Sequence, residues 1–162
     1  MVIFSIDEWV CANVSETKRW HEWFRRNPAA LDVAIDIAQT KNARELVLHI
    51  VAVDRRYAER LCGKEVTPYE QMPQDAEQLF TLAHETFERL RKYAQQASQA
   101  DLRTEIEFQT RSAGLLKASK RKILIHTLMH SIRHWAQLAT ELRKAGYKTD
   151  WQHDLLFSDV IE

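Results

Sequence analysis

The sequence predicts an all-α protein: a four-helix bundle with one crossover connection and a packed C-terminal tail. Three observations carry this expectation. Only three glycines and three prolines occur in 162 residues, too few breakers for the many turns of an all-β fold. Four long stretches repeat apolar side chains every three or four residues, the period of a buried helical stripe. Capping and stop residues bound these stretches where helices begin and end.

The first helix opens on Ser5-Ile6-Asp7-Glu8, a hydroxyl followed three residues later by a carboxylate, which is the capping-box pattern. Trp9, Ala12, Trp20, Trp23 and Phe24 follow at helical spacings, and Asn27-Pro28 closes the run, giving a helix over residues 6–26. Its tryptophans read as core contacts rather than a ligand cage. Residues 28–40 fit a short helix or an ordered loop equally well. Asn42 with Glu45 caps the second helix, Leu46, Ile50, Val53, Tyr57 and Leu61 form its buried stripe, and Gly63 stops it. A connector covers residues 66–73.

The third helix starts near Pro73, with Asp75 and Glu77 suited to the positive N-terminal end of a helix. Leu79, Leu82, Ala83, Phe87 and Leu90 give its inner face, which fades near Ser98. Thr104 to Thr110 alternates polar and apolar around Ile106 and Phe108, as a strand or an extended crossover would. The fourth long helix runs from about Lys120 to Ala145, with Gly146 at its end. The tail, Tyr147 to Glu162, carries Trp151, Leu155, Leu156 and Phe157. That is too apolar to hang free, so it is expected to pack along the bundle. With no repeat, low-complexity tract or linker, one domain spans residues 1–162.

Charge narrows the function classes. Twenty-three basic side chains balance 23 acidic ones, so the clustered basic surplus that a nucleic acid backbone demands is missing. The run Lys117, Lys120, Arg121, Lys122 reads as a solvated helix start. No apolar run approaches the roughly 20 residues that span a bilayer. Met1-Val2-Ile3-Phe4-Ser5 is too short, and lacks the basic flank, for a signal peptide. Cys11 and Cys62 show neither metal nor disulfide-framework spacing and read as reduced thiols, which points to the cytoplasm.

The seven histidines are unevenly placed. His126, His130 and His134 lie four residues apart and form one stripe of the fourth long helix. Neighbours at this spacing sit about 5–6 Å apart at Cβ. Two such rings can share one ion, at about 2.0–2.1 Å per bond for zinc. All three span about 12 Å of helix, at roughly 1.5 Å per residue, so one adjacent pair binds and a further ligand must come from another helix. His49, set between Leu46, Ile50 and Val53, is the candidate, because a buried ring needs a partner.

Spacing alone also suits ordinary hydrogen-bonded histidines. Leu124, Leu128, Trp135 and Leu142 mark the apolar side of that helix, Lys122, Arg133 and Lys144 its solvent side, and the stripe lies between. His21 and His84 read as boundary residues. His153 has no spacing argument, and Asp54 falls off the His49 face.

Three groups of residues carry a resemblance. They are Leu48-His49-Ile50, then Met129-His130-Ser131-Ile132-Arg133-His134 preceded by His126, then Gln137 with Leu142-Arg143-Lys144-Ala145-Gly146. On these the chain resembles the DinB family, the DinB/YfiT-like metal-dependent hydrolases, from the first helix to Gly146. The resemblance implies a four-helix bundle, often a homodimer, that binds a divalent ion, nickel or zinc. It implies His49, His130 and His134 as ligands, with His126 accessory. Its fold is shared with thiol-dependent S-transferases and a mycothiol-dependent isomerase.

Three neutral imidazoles would leave an ion its full charge and an open position. Such an ion can bring the pKa of a water near 7 or acidify a thiol, so hydrolysis and thiol transfer both follow. The expected partner is a small-molecule substrate, with or without a low-molecular-weight thiol. Gln137 and Glu141 beyond His134, and Glu45 one turn before His49, are candidates to hold the ring tautomers. The alternative is a non-catalytic metal-binding bundle with a structural or stress-sensing role. Protonation of free imidazole sets metal loss below about pH 6.5.

Overall fold

Caps place the helices. In this computed structural model, which describes residues 5–110 and 113–160, the Ser5 hydroxyl accepts from the Glu8 amide at 3.2 Å. Glu8 Oε2 accepts in return from the Ser5 amide at 2.7 Å. This reciprocal box starts α1 (Ile6–Arg26). The N-terminal segment 1–4, weighed against a signal peptide, and the last two residues of the tail lie outside the described residues.

Residues 28–42 resolve the open choice in an unexpected way. A 3-10 turn over Pro28–Asp32 leads into a hairpin of β1 (Ala34–Ile37) and β2 (Thr40–Asn42). The hairpin turn holds Ala38 and Gln39 at positive φ, 52° and 65°. Tight hairpins need that conformation and usually take it with Asn or Gly, so Ala-Gln carries no turn signal.

Asn42 caps α2 (Ala43–Leu61) by accepting from the Glu45 amide at 2.9 Å. Past its end Gly63 adopts φ +63°, and the Lys64 amide bonds back to the Glu59 carbonyl at 2.8 Å. Buried Glu59 then ties down the connector, accepting from Arg55 Nε at 2.6 Å and from the Thr67 amide and hydroxyl at 2.8 Å each. Asp75 caps α3 (Ala76–Gln96). The crossover contains a short helix, α4 (Gln99–Arg103), and a second hairpin, β3 (Glu105–Thr110) with β4 (Gly114–Ser119). In it Ile106 faces Ala118 and Phe108 faces Leu116.

Ser119 caps α5 (Lys120–Lys144). The protein is therefore mostly helical but not all-α, because both connections that the sequence leaves undecided fold into antiparallel hairpins. The basic run divides between elements: Lys117 pairs with Glu105 at 2.9 Å and Lys120 with Asp101 at 2.6 Å. No helix among the described residues is long and apolar enough to cross a membrane.

α2 packs against both α3 and α5, and α1 packs against α3 and α5. The core falls into two apolar clusters. One is built around Trp20, Phe24, Leu46, Phe80 and Trp135, the other around Val10, Leu61, Phe87, Leu90 and Leu124. Between them, each long helix contributes buried polar residues: Asn13 and Thr17, Asp54, Thr86, and His130 with Ser131. The tail packs through Trp151, one of the four apolar side chains expected to do so, and not through the other three. Trp151 meets Trp20 edge-on at 5.1 Å and donates from Nε1 to Glu16 at 3.0 Å. Leu156 is 88 % exposed and Phe157 is exposed as well. An indole N–H satisfies a half-buried carboxylate, which aliphatic side chains cannot do.

Within the polar layer, Asp54 is 2 % exposed and Ser131 is fully buried. The Ser131 hydroxyl lies 2.7 and 2.6 Å from the two Asp54 oxygens. Burial pushes the Asp54 carboxyl well above the usual carboxylate range, and the Ser131 hydrogen bond offsets only part of this. A folded-state pKa raised above the unfolded value weakens folding as pH rises past about 3.9, because the unfolded chain then releases a proton that the folded chain keeps. Asp54→Asn should therefore match the parent near pH 4 and gain on it toward pH 7. Asp54→Ala, which strips Ser131 of its partner on α2 and leaves it only the Thr127 carbonyl at 3.2 Å, should cost about 1–3 kcal/mol. Thermal melts at the two pH values check both. An Asn variant less stable than the parent at pH 7 would show that the carboxyl is held as an anion.

Candidate metal centre

Residues ascending α2 meet residues descending α5. His49 faces His130 and His134, and further along Tyr57 lies edge-on to His126 at 5.4 Å between ring centres. The i, i+4 spacing on α5 stacks His130 and His134 one turn apart, with their rings 4.4 Å apart and nearly perpendicular. His49 supplies the third ring from across the seam, 5.1 and 5.0 Å from the other two. One ring nitrogen from each histidine falls within 4.8 Å of the others. His130 is 7 % exposed, His134 is buried, and His49 forms the more open side.

The rings of α5 are neutral at pH 7. Burial, followed by the charges of His134, His49, His126 and Arg133, drives His130 down to about 2. Burial also lowers His134, partly offset by its bond to Gln137, and lowers His126 with help from Arg133. Neutral imidazole is the metal-binding form.

Three observations show that these residues fit a divalent ion. His130 and His49 bring their Nε2 atoms to 3.2 Å. Two nitrogens bonded to one ion at about 2.0–2.1 Å stand roughly 3 Å apart, so this spacing suits a shared ion. His134 is oriented as a ligand must be, because its Nδ1–H donates to Gln137 Oε1 at 2.7 Å, which leaves Nε2 as the lone-pair nitrogen. A cation already rests there, since Arg133 donates to that Nε2 at 3.3 Å. The other nitrogen of His130, Nδ1, is buried with no hydrogen-bond partner among the described residues, and an ion on Nε2 would leave it so.

Of the candidate supporting residues, Gln137 alone bonds a ring of the trio. Glu45 Oε2 instead accepts from the Lys41 amide at 2.8 Å, serving the start of α2. Glu141 pairs with Lys144 at 2.8 Å near the end of α5. His126 sits beside His130, 5.7 Å between rings, outside the group of three. His153 is held elsewhere, with Nδ1 2.6 Å from Glu16 and Nε2 2.9 Å from the Thr149 hydroxyl. His21 pairs with Glu77 at 2.9 Å and neighbours His84 at 3.4 Å.

Two residues that sequence reasoning does not select belong to this neighbourhood. Asp54, off the His49 face, reaches Ser131 directly behind His130; it directly follows the apolar run Val51-Ala52-Val53 and precedes two arginines, so it carries no distinct signal in the sequence. Arg133, on the solvent side of the helical wheel, folds back onto His134 because its long stem spans the offset.

The family model for the DinB family matches residues 6–160, nearly the whole chain, and the chain belongs to the DinB family. No curated protein matches it.

The depressed pKa of His130 predicts how the metal-free protein responds to acid. A histidine whose folded pKa lies below its unfolded value of about 6.5 gives stability that is complete above pH 6.5 and is lost as pH falls toward the folded value. The contribution is up to about 1.4 kcal/mol per pH unit. Melting temperatures of chelator-treated protein from pH 7 to pH 4.5 should fall with this slope. His130→Gln should flatten it, and an unchanged slope in that variant would remove His130 as its source.

Proposed function

We propose that the chain is a divalent-metal-dependent enzyme whose ion sits on His49, His130 and His134, inside a four-helix bundle. The observation that carries this reading is the convergence of three ring nitrogens from two helices within 4.8 Å. No fourth His, Cys, Asp or Glu among the described residues joins the group. Three protein ligands leave a position for a reacting molecule, the mark of catalytic rather than structural sites. Nickel or zinc matches the all-imidazole donor set. A bound ion would supply a Lewis acid able to acidify a water or a thiol.

The chain's own residues divide the remaining work. Gln137 fixes the tautomer of His134. The Asp54–Ser131 bond holds the turn of α5 that carries His130. His126, next in the stripe, is the nearest ring available to take a proton. Among the described residues no carboxylate stands among the trio to serve as general base, and water needs such help more than a thiol with its ordinary pKa of about 8.5. This favours transfer of a low-molecular-weight thiol to a small electrophile, with hydrolysis as the second reaction of the same site. The exposed Ile125 and Met129 on α5 support a homodimer.

Elemental analysis of untagged protein should find about one ion per chain, lost in His49→Ala and in His134→Ala. Gln137→Ala should keep the fold and bind the ion about 10–100-fold more weakly. A parent protein that takes up neither zinc nor nickel would sink the three-histidine centre.

A further inference from the structure

A cavity of about 540 Å³ lies between α5 and the tail. Ala136, Ala139 and Thr140 line it on the helix, Thr149 and His153 on the tail. The two alanines keep the space open, because longer side chains there would occupy it. None of the histidine trio lines it. At about 100° per residue, Ala136 sits about 200° round α5 from His134, so the two sites lie on opposite sides of the helix.

At the wall of this cavity Glu16, His153 and Thr149 are linked in series. His153 Nδ1–H donates to Glu16 Oε1 at 2.6 Å, which leaves Nε2 as the lone-pair nitrogen. The Thr149 hydroxyl donates to that Nε2 at 2.9 Å. Both oxygens of Glu16 are held: Oε1 also accepts from Trp20 Nε1 at 2.9 Å, and Oε2 from Trp151 Nε1 at 3.0 Å. The imidazole stacks on Trp20, with ring centres 5.3 Å apart. A hydroxyl, a base and a group that orients the base, each within hydrogen-bond reach of the next, are what activates an oxygen nucleophile.

Fastening the tail does not account for the third member. Trp151 already ties the tail to Glu16 and Trp20. The bond from Thr149 to His153 joins two residues of one segment, both facing the cavity, and adds little to that anchorage. Nearby, the amides of Trp151, Gln152 and His153 donate to no acceptor among the described residues, so they are free to meet an oxyanion.

We propose that Glu16, His153 and Thr149 form a catalytic site of their own, separate from the metal centre, that hydrolyses small carboxylic esters through an acyl-threonine. Thr149 Oγ1 attacks the ester carbonyl carbon, and its proton passes to His153 Nε2. The bond from that carbon to the alcohol oxygen breaks, and His153 gives the proton to the leaving oxygen. Water then attacks the acyl-threonine and gives a proton to His153. As the carboxylic acid leaves, that proton returns to Thr149 Oγ1. Glu16 stabilises the imidazolium formed in each half.

The probe is p-nitrophenyl acetate. Nitrophenol release is followed by visible absorption in the parent, Thr149→Ala, Thr149→Ser and His153→Gln, each checked for fold by circular dichroism. Peptide mass mapping after an acid quench locates the acetyl group. The parent should carry acetyl on Thr149, before and after chelator treatment. Thr149→Ala should lose the adduct and fall to the background rate of exposed imidazoles, and Thr149→Ser should keep both adduct and turnover. His153→Gln should slow acetylation about 100-fold, the lower end of what a positioned base contributes. A parent without acetyl on Thr149, or a folded Thr149→Ala as fast as the parent, would overturn the site. Loss of the adduct on chelation would overturn its independence and return the activity to the metal centre.

Discussion

The hydrogen bond between the Asp54 carboxyl and the Ser131 hydroxyl, buried between α2 and α5, sets the register on which the site depends. Two helices can slide or roll against each other when only aliphatic side chains meet, because dispersion has little direction. A carboxyl and a hydroxyl at 2.6 Å admit one arrangement. Ser131 immediately follows His130, so fixing its direction also fixes that of the ring, and rolling α5 by one residue would swing the ring about 100° away from His49. The two apolar clusters supply most of the stability on either side of this layer. The layer supplies alignment, as isolated buried polar groups do in some helical assemblies.

The site and its support share one electrostatic logic. Burial removes charge from both, raising the carboxyl of Asp54 and lowering the imidazole of His130. The layer is thus electrically quiet at neutral pH, and its polar groups act as hydrogen-bonding and ligating atoms rather than as ions. Arg133 stands apart, since its charge cannot be given up. A permanent cation at the edge of a neutral layer gives the cleft its polarity.

Much of this can be read from the residues. Ser5 with Glu8, Asn42 with Glu45, and the glycines at 63 and 146 locate the helix ends because caps act within four residues of themselves. The α5 histidines and His49 are legible for a similar reason: one helical period aligns the first pair, and a ring in an apolar stripe asks for a partner. What stays hidden needs contacts distant in sequence or turns without their usual residues. Ala38-Gln39 conceals the first hairpin. Asp54 looks misplaced on a helical wheel until Ser131, 77 residues later, is set opposite. Arg133 is exposed, as the wheel places it, yet its reach to His134 stays hidden because wheels place Cα atoms, whereas guanidinium groups end several ångströms away. The trio itself is named by the family resemblance, since spacing allows His126 with His130 as readily as His130 with His134.

Glu16 joins the two ends of the chain. It accepts from Trp20 on its own helix at 2.9 Å, and its other partners are Trp151 at 3.0 Å and His153 at 2.6 Å. These last two bonds close loops of 135 and 137 residues. Contacts of such separation form late, since the entropy of closing so long a loop must be overcome first. During synthesis, α1 emerges from the ribosome with a carboxylate and a cluster of indoles whose partners are translated more than a hundred residues later. At about 5–20 residues per second, that interval lasts several seconds. Through it the first helix has an uncovered aromatic face, so the nascent chain, rather than the finished protein, is the form most exposed to chaperones and to misassembly.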